Sequence, residues 1–161
     1  MVMNSNSSFN ILVSAMAINS KKKILLLCTG NSCRSQIAEG LVKKQLGTHF
    51  EVFSAGTIPK TVDLRAIETM NEIGIDISNN ESTDVNDLLA EKFGLVITLC
   101  DNARENCPLF PGNVEIIHIG FNDPAFFNGT DEEVRLNFRE LREAIQEKLL
   151  TYLRTKFSIV E

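Results

Sequence analysis

Cys28-Thr29-Gly30-Asn31-Ser32-Cys33-Arg34-Ser35 decides the fold of this chain. Before it, Lys21 to Leu27 is basic and then apolar, and reads as a buried strand. After it, Gln36 to Leu46 carries Ile37, Leu41 and Val42 on one helical stripe. The stretch is therefore a short loop between a strand's carboxyl end and a helix N-terminus. Unpaired backbone N–H groups and the positive end of the helix dipole make such a loop a site for an anion. Gly30 is expected at the tight turn, where a Cβ would be costly. Cys28 ends the strand and aims into the cradle, and Arg34 can fork two N–H donors onto an oxyanion. The field that binds an oxyanion also favours a thiolate at Cys28. The bland alternative makes Cys28 and Cys33 small buried hydrophobes and Arg34 a surface charge. The Cys-to-Arg spacing, set between a strand and a helix, favours the nucleophile.

The rest of the composition bounds what this loop can serve. The chain has 161 residues, enough for one domain with a real core. Lys+Arg 16 against Asp+Glu 21 gives −5, which argues against a nucleic-acid partner, so an oxyanion must be attracted locally. No apolar run approaches the roughly 20 residues that span a bilayer. Four cysteines beside a nucleophile motif read as redox or catalytic thiols of a reducing, cytoplasmic compartment rather than as a disulfide framework. Residues 1–20 are rich in Ser and Asn and are expected to be a flexible extension. Basic residues follow their apolar run instead of preceding it, which is wrong for a signal peptide. Residues 21–161 then form a single domain.

Along that domain, strands alternate with helices. Lys23 to Leu27 is strand one, Glu51 to Ala55 strand two, Gly94 to Leu99 strand three and Val114 to Ile119 strand four. Asp63 can cap a helix that runs to Ile73 with Ile67 and Met70 inward, and Asp84 to Lys92 is expected to be another short helix. Thr130-Asp131-Glu132-Glu133 is a capping box, opening a long final helix with Val134, Phe138, Leu141, Ile145 and Leu149 at helical spacing. The pattern predicts a three-layer α/β fold, a four-stranded parallel sheet with helices on both faces. In such sheets ligands bind beyond the carboxyl ends of the strands. Cys28, Cys100 and Asp123 follow strands one, three and four, as one shared site would require.

These residues resemble a known family. The loop from Cys28 to Gln36, followed by Ala38-Glu39-Gly40, is similar to the phosphate loop of the low-molecular-weight protein tyrosine phosphatases. Within that fold, Ser54-Ala55-Gly56, Ile75-Asp76-Ile77-Ser78, Thr98-Leu99-Cys100 with Cys107-Pro108, and Gly120-Phe121-Asn122-Asp123-Pro124-Ala125 resemble the thioredoxin-coupled arsenate reductases. The Cys100/Cys107 pair discriminates most, since a phosphatase does not need it. The resemblance implies Cys28, Cys100, Cys107, Arg34 and Asp123 as catalytic residues. It implies Thr29, Gly30, Asn31, Ser32, Cys33, Arg34 and Ser35 as the oxyanion cradle. Ser35 would hydrogen-bond the Cys28 sulfur, and Cys33 would support the loop, with pairing to Cys28 under oxidation as its other possible role. No tightly bound cofactor is implied. Family members can hold a potassium ion with positions matching Asn31, Glu39 and Ser54, but their fourth ligand is an Asp where Thr83 stands here.

Under that resemblance arsenate is the substrate and thioredoxin the reductant of a monomeric enzyme. Cys28 would attack arsenic, Cys100 would attack the Cys28 sulfur, and Cys107 would resolve the disulfide, each a thiol exchange. The polar segment Asp101 to Asn106 would loop out to carry the disulfide to the surface. Asp123 would be the general acid; on its own residues it reads equally as an Asp-Pro turn. The alternative is a phosphatase using Cys28, Arg34 and Asp123 alone. Its acid motif carries an aromatic residue after Asp-Pro, where this chain has Ala125. A non-catalytic thiol sensor of arsenic would want a DNA-binding element, and no basic recognition helix is evident. His118 reads as a satisfied sheet histidine. A zinc site fits poorly, because the cysteine gaps are wrong for one.

Overall fold

The computed structural model describes residues 20–160. The expected extension, 1–20, lies outside the described residues apart from Ser20. Four strands form one parallel sheet in the order β2-β1-β3-β4, with β1 at Lys22–Cys28, β2 at Phe50–Gly56, β3 at Leu95–Thr98 and β4 at Glu115–His118. The helices are α1 (Arg34–Leu46), α2 (Leu64–Asn71), α3 (Asp101–Glu105), α4 (Asp131–Ile145) and α5 (Thr151–Lys156).

Successive strand residues point to opposite faces, so a strand buried on both is continuously apolar. Ile24, Leu25, Leu26 and Leu27 are all 0 % exposed, which requires cover on both faces of β1. Val52 and Ser54 lie beside Ile24 and Leu26 on one face, and the Ser54 hydroxyl donates to Glu39 of α1 at 2.8 Å. Phe50 on that face meets Phe157, just past α5, with ring centroids 5.0 Å apart. On the other face Phe53 meets Phe93 at 5.4 Å, and Phe93 meets Phe110 at 5.7 Å, both edge-on. Phe50 and Phe93, the fully buried members of these contacts, each contribute about 1.5–3 kcal/mol.

The final helix starts at the expected capping box: Glu133 N–H donates to Thr130 Oγ1 at 3.2 Å and Thr130 N–H to Glu133 Oε2 at 2.8 Å. It is joined to α5 through a π-helical turn at Gln146–Leu150. The added residue lets Leu149, Leu150 and Leu153 all reach the core. The short helix expected over Asp84 to Lys92 is instead a single 3₁₀ turn at Val85–Leu88, capped by the Asp84 carboxylate on Asn86 N–H at 2.8 Å. Only Val85 of the turn is fully buried, and Asn86 and Asp87 are poor helix formers.

Candidate active site

The loop after β1 is shaped by its carbonyls. Those of Cys28, Thr29, Gly30 and Ser32 accept the N–H groups of Thr57, Ile58, Lys60 and Asp63 at 2.8–3.1 Å. A trans peptide points its N–H opposite to its C=O. The amides that follow those outward carbonyls therefore face inward, around Cys28. Asn31 N–H does so visibly, donating to Cys28 Sγ at 3.2 Å. Ser35, inside the first turn of α1, places its hydroxyl 2.9 Å from the same sulfur. The Ser35 contact matches the sequence expectation, and α1 begins at Arg34, two residues before the expected Gln36.

Two details of the loop go beyond that expectation. The left-handed position is Asn31 (φ 49), and Gly30 has no positive φ. Asn tolerates this conformation when its side chain is held locally, and here Asn31 Nδ2 donates to Ser35 Oγ at 2.7 Å and to Ser54 Oγ at 2.9 Å. The glycine that the loop does need is Gly56 at the end of β2. A Cβ there would stand 2.5 Å from Thr29 O and 2.9 Å from Asn31 N.

Arg34 is buried and fixed. Its Nη1 donates to Phe121 O and its Nη2 to Asp123 Oδ2, each at 3.2 Å. Asp123 is extended, as the following Pro124 demands, and caps a 3₁₀ turn at Pro124–Phe126 through Ala125 N–H at 2.9 Å. It is thus both the turn residue and the carboxylate facing the cradle. Cys28, Arg34, Asp123, Lys60 and Phe126 line a cavity of about 310 Å³. Ala125 is followed by an exposed Phe126, so an aromatic wall is present one residue later than in the phosphatase motif. The sequence reading did not single out Phe126 or Lys60.

Cys100 lies two residues beyond β3, beside the same cradle. Its sulfur lies 3.3 Å from Thr29 Oγ1, and it shares with Thr29, Arg34 and Asp123 the lining of an adjoining depression of about 410 Å³. The segment after it, expected to loop out once the disulfide forms, is folded in the thiol form. Asp101–Glu105 is a one-turn helix, and Cys100 caps it by accepting Ala103 N–H at 3.4 Å. Asn102 Oδ1 accepts the hydroxyls of Thr29 at 3.3 Å and Thr57 at 3.0 Å, which latches this helix to the loop. Cys107 is half-buried beyond the helix, and burial pushes its thiol up. All four cysteines are free thiols.

Cys33 is buried at the residue before α1, where its side chain makes no capping hydrogen bond. Burial first, and then the Asp63 carboxylate, push its thiol up to about 12, so it stays protonated at neutral pH. Asp63 in turn is gripped by Arg65 through Nε at 2.9 Å and Nη2 at 2.7 Å, and its carboxyl is held below the usual range despite its burial. Cys33 therefore supports the loop as a neutral donor. His118 is satisfied within the sheet, its Nδ1 2.8 Å from Thr98 Oγ1. Asn31, Ser54 and Glu39, the residues read as potassium ligands, are brought together. Ser54 Oγ bonds both other side chains, and Thr83 reaches Asn31 through its backbone N–H at 2.8 Å. Among the described residues no helix is long and apolar enough to cross a membrane.

Comparison with known proteins agrees with this geometry. The arsenate reductase of Halalkalibacterium halodurans is 48% identical over 135 residues, covering 84% of this chain and 97% of that protein. A solved structure of an arsenate reductase in its phosphate-binding state superimposes with a TM-score of 0.66 at 30% identity, covering 83% of this chain and 98% of the other. The thioredoxin-dependent arsenate reductase of Corynebacterium glutamicum superimposes with a TM-score of 0.63, covering 94% of this chain and 72% of the other; at 24% identity the likeness is one of fold. Residues 23–157 match the family model described as low molecular weight phosphotyrosine protein phosphatase. A cysteine cradled by inward amides, a buried arginine and a facing Asp-Pro turn are thus the local form of a likeness that runs the length of the domain, and the chain belongs to the low molecular weight phosphotyrosine protein phosphatase family.

Proposed function

We propose that this protein reduces arsenate to arsenite through Cys28, Cys100 and Cys107, with thioredoxin as the external dithiol. The observation that carries the reading is Cys100: its sulfur sits on Thr29 Oγ1, one residue from the nucleophile, at the edge of the oxyanion cradle. Phosphate-ester hydrolysis has no use for a thiol there.

The oxyanion displaces Asp123 from Arg34 and takes the inward amides. Released from Arg34, Asp123 takes up a proton from solvent; Cys28 attacks arsenic, and Asp123 gives that proton to the departing oxygen, which leaves as water. Cys100 then attacks the Cys28 sulfur. The S–S bond forms, the S–As electron pair passes to arsenic, and arsenite leaves. Cys107 attacks Cys100, which frees Cys28 and leaves a Cys100–Cys107 disulfide. Thioredoxin reduces that disulfide and is itself oxidised. Such a cycle belongs in the reducing cytoplasm, and one chain carries every residue it uses, so a monomer suffices. The relatives named arsenate reductase support the reading.

The test is NADPH oxidation by the purified protein with thioredoxin, thioredoxin reductase and arsenate. Sustained turnover by the wild type, with Cys107→Ser stopping after about one equivalent, is the expected result. Hydrolysis of para-nitrophenyl phosphate with no NADPH consumption would instead favour the phosphatase reading.

A further inference from the structure

Asn31 is held from every side. Its carbonyl accepts Gln36 Nε2 at 3.0 Å and Ser82 Oγ at 2.9 Å. Its Oδ1 accepts Thr83 N–H at 2.8 Å, and its Nδ2 donates to Ser35 and Ser54. This grip matters because Asn31 is the left-handed residue of the loop and its own N–H lies on Cys28 Sγ. Whatever fixes Asn31 fixes a donor to the nucleophile.

A cation needs oxygen lone pairs. Towards Ser54 and Glu39, Asn31 presents its NH₂ hydrogens. Turning the amide over would set that NH₂ against the Thr83 N–H, donor against donor. Ser54 Oγ has its proton committed to Glu39 Oε2 and accepts from Asn31. Glu39 Oε1 is paired with Lys43 Nζ at 2.8 Å, an i,i+4 pair on α1. Thr83, beside them, adds no charge and offers a backbone donor to Asn31. The residues do not fit the ion.

We propose that the chain Lys43–Glu39–Ser54–Asn31 does without an alkali cation and holds the loop itself, with Glu39 as the positioning residue. Lys43 balances the carboxylate, Glu39 orients the Ser54 hydroxyl, and Ser54 orients the Asn31 amide. The same support is needed whichever oxyanion enters the loop, so the inference does not rest on the arsenate reading.

Two readouts test it on the full chain. One is the thermal unfolding midpoint, and the other is the rate at which iodoacetamide alkylates Cys28, followed by peptide mass. Both are measured in potassium, sodium and tetramethylammonium chloride at equal ionic strength and neutral pH. The wild type is expected to give the same midpoint and rate in all three. A saturable rise of the midpoint specific to potassium overturns the proposal. Glu39→Leu is expected to slow Cys28 alkylation several-fold, and Glu39→Gln, which keeps an acceptor for Ser54, to restore most of the rate. Equal slowing by both variants overturns the positioning role.

Discussion

Ser35 and Asn31 converge on one sulfur from opposite ends of the loop, at 2.9 and 3.2 Å. A hydrogen bond to a charged group contributes about 1.5–3 kcal/mol. Ser35→Ala is therefore expected to slow Cys28 alkylation by about tenfold to a hundredfold at neutral pH, measured by peptide mass. Cys33 behaves oppositely, and its linkage to stability has a definite sign. Its thiol is raised from the usual 9.0 to about 12 in the folded protein. Below pH 9 it is neutral in both states and its contribution is complete. Between about 9 and 12 only the unfolded chain ionises it, and stability falls by up to about 1.4 kcal/mol per pH unit from this group. Urea unfolding across that range should show a fall that Cys33→Ala makes shallower; an unchanged slope would refute the assignment. Cys28, Arg34 and Ser35 were legible in the sequence because their geometry is local to one loop. The grip of Asp63 on Cys33, and of Thr83 on Asn31, was not, because each spans a long stretch of chain. The left-handed position at Asn31 was not legible, because an amide side chain held by Ser35 and Ser54 leaves no local trace.

The element that the proposed relay has to move is α3. The polar composition from Asp101 to Asn106 suggested a segment able to loop out; in the thiol form Cys100 supplies a cap and Asn102 a latch, and one turn of helix forms between the two thiols. Joining Cys100 to Cys107 has to disturb this turn, so the latch favours the reduced form. Losing a hydrogen bond costs about 0.5–1.5 kcal/mol, or about two- to twelvefold in an equilibrium constant. Asn102→Ala is expected to shift the thiol–disulfide equilibrium of Cys100/Cys107 towards the disulfide by about that factor in a glutathione titration. No shift, or one towards the dithiol, would remove the latch from the relay. Strands were the most legible elements, because Ile24 to Leu27 and Leu95 to Ile97 are unbroken apolar runs. The Val85–Leu88 turn and the π turn at Gln146–Leu150 were not, since both follow from how the core is filled around Val85 and Leu150.

At the scale of the molecule, a parallel sheet brings the carboxyl ends of β1, β3 and β4 to one edge, and Cys28, Cys100 and Asp123 arrive there together. That convergence was readable because alternating strands and helices allow few topologies. The width of the mouth and its Phe126 wall were not, because they depend on how the Asp123 turn folds against Arg34. A net charge of −5 gives an anionic substrate no general attraction, so the proposed function assigns binding to the amides, Arg34 and Lys60 at the cavity. The central claim is that Cys100 takes the Cys28 sulfur from arsenic. The most direct measurement is peptide mass analysis of Cys107→Ser after a single exposure to arsenate without reductant, quenched with acid. The relay predicts a disulfide joining the Cys28 and Cys100 peptides and one equivalent of arsenite. A Cys28–Cys33 disulfide, or arsenite with Cys100 still free, would contradict it.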